Sequence, residues 1–190
     1  MDDLREAWGQ VKGWFDRHAP LTAAALGSPA RPEDVTRAEA NLGVQFPQVL
    51  TAWLLACDVG SGGRPGERSS LVSLGCDGVI PTGGLLLGLT DIQRVYLHHM
   101  GLEEMEPSNP ECPAWRADWL PIVSESDGFF GKFLDVRDGS IGSWSEGYNP
   151  EEGNFPSLAD FFRHVMQCLI DVSSGDSPNG RISGGRLVWD

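Results

Sequence analysis

Positive charge is scarce in this chain: 14 lysines and arginines stand against 27 aspartates and glutamates, a formal net charge of −13 over 190 residues. Nucleic acids and anionic membranes are held by Lys and Arg that neutralise phosphate, so neither is expected as a direct partner. Paired cysteines are missing too. Cys57, Cys76, Cys112 and Cys168 form no Cys-x-x-Cys pair, which argues against a structural zinc site and leaves reduced thiols as the expectation. Cys57 and Cys168 fall in helical apolar patterns, where cysteine acts as a small hydrophobe. No stretch approaches the roughly 20 apolar residues that span a bilayer. The opening Met1-Asp2-Asp3-Leu4-Arg5-Glu6 is acidic, unlike a basic-then-apolar leader. A cytoplasmic protein without metal or cofactor is expected.

Catalytic signatures are equally sparse. There is no Gly-x-Ser-x-Gly elbow and no dinucleotide-binding glycine fingerprint. The glycine-rich residues 60–66, with Arg64 and Arg68, lack the Gly-Lys-Ser/Thr ending of a phosphate loop and follow no strand. His18, His98, His99 and His164 all lie in helical patterns, and no local motif links one to a serine or cysteine. His98 and His99 point to different helix faces and cannot chelate one metal as an i, i+4 pair would. Acid pairs such as Glu125 with Asp127 sit beside a turn, where exposed carboxylates are ordinary. No catalytic residue is assigned, and the expected function is non-catalytic.

What is present is a regular alternation of helical stripes and short strands. Residues 4–18 carry Leu4, Trp8, Val11 and Phe15 at helical spacing, with Asp3 as a candidate cap. After a loop over 21–32, a helix over 32–42 buries Val35, Ala38 and Leu42 and ends at Gly43. Pro47 opens a third helix with Val49, Leu50, Trp53, Leu54 and Cys57 inward. Short buried strands are predicted over 79–90. Thr90 and Gln93 then make a capping box for a helix containing Ile92, Val95, Tyr96 and a semi-buried His99. Residues 101–118 read as a long acidic connection, a feature that is often functional. The pattern then turns to period two: 119–123, 129–136 and 141–144 form a meander with a hairpin turn at Asp138-Gly139. Ser157 caps a last helix striped by Leu158, Phe161, Phe162, Val165, Leu169 and Val172. Residues 173–190 read as a flexible Ser/Gly-rich tail with an apolar end that docks as an edge strand. Trp53, Phe133 and Phe162 are expected in the core. The fold class is α+β: a mixed or mainly antiparallel sheet flanked by helices.

The acid is concentrated. Residues 103–152 hold 12 acidic and 3 basic side chains, so this stretch is either a solubilising coat or a docking face for a basic partner. As a docking face it offers Glu103, Glu104, Glu106, Glu125, Asp127, Glu146, Glu151 and Glu152.

The order of motifs resembles the SUKH superfamily, the Smi/Knr-type domain, over residues 4–172. The matches are Pro32-Glu33-Asp34-Val35 with Leu42-Gly43, Phe46-Pro47 and Trp53-Leu54; Ile80-Pro81 with Leu86-Leu87, Leu89 and Asp91-Ile92; Trp119-Leu120-Pro121-Ile122 with Asp127-Gly128 and Leu134-Asp135; and Gly142 to Trp144 before the helix start Ser157-Leu158-Ala159-Asp160-Phe161-Phe162. Asp58-Val59-Gly60 departs from the family's usual Asn-Gly, and neither 101–118 nor the tail is covered. In bacteria the resemblance implies an immunity protein that binds and blocks a polymorphic or contact-dependent toxin, often a nuclease. In fungi it implies a regulator or scaffold of cell-wall synthesis and signalling. Twelve arginines against two lysines, with abundant Ala, Gly and Asp, fit a GC-rich bacterial gene and favour the first. The expected partner is another protein, a basic toxin domain, and the expected state a monomer or weak dimer.

Overall fold

A computed structural model of the chain describes residues 2–57, 78–81, 84–109 and 111–189. Helix α1 (Asp2–His18) buries Leu4, Trp8, Val11 and Phe15 together with Ala7 and Trp14. It begins at Asp2, so Asp3 lies in its first turn instead of capping it; there its charge suits the positive end of the helix dipole. Pro20 opens a short helix, α2 (Pro20–Ala23), inside the segment expected to be loop. Helix α3 (Pro32–Leu42) buries Val35, Ala38 and Leu42 and ends on Gly43 at φ 68°, a conformation glycine adopts without penalty. Pro47 stands one position before α4 (Gln48–Leu54), as its N-cap.

Among the described residues the sheet has five strands, β1 (Leu85–Leu86), β2 (Trp119–Ser124), β3 (Phe130–Asp135), β4 (Ile141–Ser145) and β5 (Glu151–Phe155), in the order β1-β2-β3-β4-β5 and antiparallel throughout. Val79 and Ile80 are buried, but in a turn and not a strand. β1 covers only Val123 and Ser124 of β2, so Pro121 occupies a stretch with no ladder partner on that side, where its missing N–H costs nothing. Register places Pro121 beside Phe133 and Phe133 beside Gly142. A Cβ on Gly142 would stand 2.2 Å from the Phe133 ring, and one on Gly131 2.3 Å from Trp144. These two glycines let aromatic rings lie flat on the sheet.

Helix α5 (Leu89–Met105) starts from Gly88, with no side-chain cap, and the Thr90–Gln93 box does not form; Gln93 Nε2 donates to the Leu89 carbonyl instead. The helix runs on to Met105, so Glu103 and Glu104 are helical and the acidic connection begins at Glu106. Helix α6 (Leu158–Ser174) is capped as expected: Ser157 Oγ accepts the Asp160 amide at 3.1 Å, and Gly175 closes the other end at φ 83°. α1 packs along α6, and Trp8, Trp53 and Phe162 from three helices meet with ring centroids 4.8–5.9 Å apart. Trp53, Phe133 and Phe162 are each at most 1% exposed.

The stretch read as a flexible tail carries a separate hairpin, β6 (Gly180–Ser183) and β7 (Arg186–Trp189). The apolar end pairs with β6 and not with an edge of the main sheet. It clasps α2 and the turn at Gly78: the Leu187 amide donates to Thr22 Oγ1 at 3.0 Å, and Trp189 Nε1 donates to the Gly78 carbonyl at 3.3 Å. Residues 60–66, with Arg64 and Arg68, and Cys76 lie outside the described residues. No helix among the described residues is long and apolar enough to cross a membrane.

Candidate functional site

The end of α5 and the connection after it form a worked surface over one face of the sheet. Tyr96 Oη donates to the Ala117 carbonyl at 2.9 Å and holds the connection down. Glu103 accepts from the Ser108 amide at 2.8 Å and from Ser108 Oγ at 2.6 Å, and Ser108 Oγ in turn accepts the Ala114 amide. Those bonds, with one from the Trp115 backbone, hold the Glu103 carboxyl below the usual range. The connection is therefore tied internally, and it drives Trp115 onto the sheet. The Trp115 indole stacks on His99 at 4.3 Å and meets Trp144, Trp119 and Phe133 edge-on at 5.2–6.0 Å. Burial, and next the charge of His98, pushes His99 down to about 4, so its ring is neutral at pH 7. His99 Nε2 and Trp115 Nε1 are buried without a hydrogen-bond partner among the described residues.

Two adjoining clefts open above this aromatic floor. One, of about 250 Å³, lies between Leu102 of α5, Phe129 of the β2–β3 turn, and Trp144, Glu146 and Tyr148 around the β4–β5 turn. The other, of about 490 Å³, is lined by Glu103, Met105, Glu106 and Trp115. They share His99, Leu102 and Ala114, and no lysine or arginine among the described residues lines either. Trp144 Nε1 donates to the Gly128 carbonyl at 3.0 Å and the Glu146 amide to the Phe129 carbonyl at 2.7 Å, which joins the two turns.

The eight acids predicted as a docking face separate into groups. Glu103, Glu106 and Glu146 line the clefts. Glu104 is exposed in the last turns of α5. Glu125 and Asp127 flank the turn that presents Phe129; burial, and next the charge of Asp127, raises the Glu125 carboxyl. Glu151 and Glu152 lie on β5, in other company. Glu152 is 3.0 Å from Arg137 and 3.9 Å from Arg116, and Arg137 also grips Asp118 and the buried Asp135. Burial alone would raise Asp135, but the Arg137 guanidinium and the Trp119 indole N–H hold its carboxyl down. This network staples β3, β5 and the connection.

Sequence reasoning missed the apolar half of the surface. Phe129 reads as the start of a strand but sits in the turn, 51% exposed, and Tyr148, 80% exposed, belongs to no periodic stripe. A lone aromatic within Glu146-Gly147-Tyr148-Asn149-Pro150 is visible in the sequence as an apolar side chain set in turn residues. One histidine does meet a nucleophile: His164 Nε2 is 3.8 Å from Cys168 Sγ on α6. Burial and the charge of Asp171 raise that thiol, the opposite of an activated cysteine. Among the described residues no three potential metal ligands come together.

Residues 29–164 match the model of the SMI1 / KNR4 family (SUKH-1), and the chain belongs to that family. The match starts after α2 and ends within α6, shorter than the resemblance read from the motifs, and spans both clefts. No curated protein matches the chain.

Proposed function

We propose that this chain is a non-catalytic protein-binding domain that neutralises a basic toxin domain, one acting on nucleic acid, by covering its substrate-binding face. The observation that carries this reading is a surface with exposed apolar side chains and carboxylates but, among the described residues, no lysine or arginine, built on a helix end and two linked turns. A nuclease must be basic to hold phosphate, so an acidic inhibitor is steered to that face and denies it to substrate. Family membership is consistent with a scaffold that presents a surface. The test is to search the neighbouring genes for a basic toxin domain and to co-express it with this chain. Growth should be rescued and a complex should co-purify; continued toxicity with no complex would sink the reading.

A further inference from the structure

Nine large hydrophobic side chains are exposed among the described residues, and four of them, Leu102, Met105, Phe129 and Tyr148, line the two adjoining clefts. Scattered apolar residues need no explanation, but apolar residues gathered over one depression mark an interaction site. The volume limits the occupant. Taken by itself, the cleft between Phe129 and Tyr148, at about 250 Å³, is smaller than the roughly 300–1,000 Å³ of sites that take whole small molecules. It suits a single large side chain, and interface anchors are most often aromatic residues or arginine. The charge limits the neighbours of that side chain, because Glu146 lines this cleft, Glu103 and Glu106 line the one beside it, and no lysine or arginine among the described residues lines either.

The geometry points to a specific occupant: one aromatic side chain of the partner, carried on a segment with arginine or lysine on either side, seated between Leu102, Phe129, Trp144 and Tyr148. This deepens the binding function proposed above and rests on it. The aromatic side chain would complete the stack begun by His99 and Trp115, and the flanking cations would reach Glu106 and Glu146. An acidic flank is repelled, and a basic segment without the ring leaves the apolar walls wet.

The probe is an acetylated, amidated Arg-Arg-Trp-Arg-Arg peptide, with Glu-Glu-Trp-Glu-Glu and Arg-Arg-Ala-Arg-Arg as counterparts, titrated into isotope-labelled protein and followed by NMR. The expected result is saturable movement of the Trp115 and Trp144 indole signals and of the Phe129, Glu146 and Tyr148 amides. Affinity should be about tenfold above that for either counterpart, since both ring and charge contribute. Joint Phe129→Ala and Tyr148→Ala substitution should lower it about tenfold with the fold retained, because both side chains are exposed. No saturable movement, or an equal response to either counterpart, overturns the assignment. Toxin rescue without peptide binding would leave the proposed function standing and remove the anchor. Peptide binding without rescue would keep the anchor and remove the toxin.

Discussion

His99 is read from the sequence as a semi-buried packing residue, and the structure gives that burial a pH signature. Its folded-state value of about 4 lies below the ordinary imidazole value of about 6.5. Between these the unfolded chain holds a proton that the folded chain refuses, so stability is constant above about pH 6.5 and falls as pH drops toward about 4. At about 1.4 kcal/mol per pKa unit the full loss is on the order of 3 kcal/mol. Thermal unfolding across pH 7 to 4 should show this slope in the wild type and not in His99→Phe; parallel curves would assign the slope to other groups. The deepest side chains were legible from helical and strand period alone. Trp53→Ala, Phe133→Ala and Phe162→Ala should each cost about 3–5 kcal/mol in chemical denaturation, since all three are buried. Phe129 and Tyr148 were not legible as a pair, because two turns of different hairpins bring them together and no sequence period connects them.

Elements with a local stop signal could be read; those defined by their partners could not. Gly43, Ser157 and the Asp138-Gly139 turn each act within a few residues, so α3, α6 and the β3–β4 hairpin were predictable. β5 is exposed along most of its length and has no apolar alternation to announce it; pairing with β4 defines it. The β6–β7 hairpin hid in a Ser/Gly-rich stretch, although Gly184-Gly185, both at positive φ, is a recognised hairpin turn signal. Ser157→Ala should lower stability by about 1 kcal/mol through the lost cap, measured by urea denaturation. Glu103 is a second element-scale case: as the acceptor that ties the connection to α5, its reversal to lysine should disturb the fold, while reversal of the exposed Glu104 should not. Near-ultraviolet circular dichroism, which reports the packing of Trp115, separates the two outcomes.

At the scale of the whole molecule, the charge of −13 acts over a distance that salt sets, about 8 Å at physiological ionic strength. Joint Glu104→Lys, Glu106→Lys and Glu146→Lys substitution should slow association with the basic partner proposed above more than it speeds dissociation, because rim charges act on encounter. Stopped-flow rates at low and high salt check this; an unchanged association rate at low salt would reduce the acidic surface to a solubilising coat. The hairpin clasp sets a different limit, one of timing. The hydrogen bond from the Leu187 amide to Thr22 joins residues 165 positions apart. Synthesis runs from Thr22 toward Leu187, so α2 waits through 165 residues of elongation before the strand that packs on it exists. The contact at Thr22 can form only once Leu187 has been added, so this part of the fold closes long after α2 itself has been made.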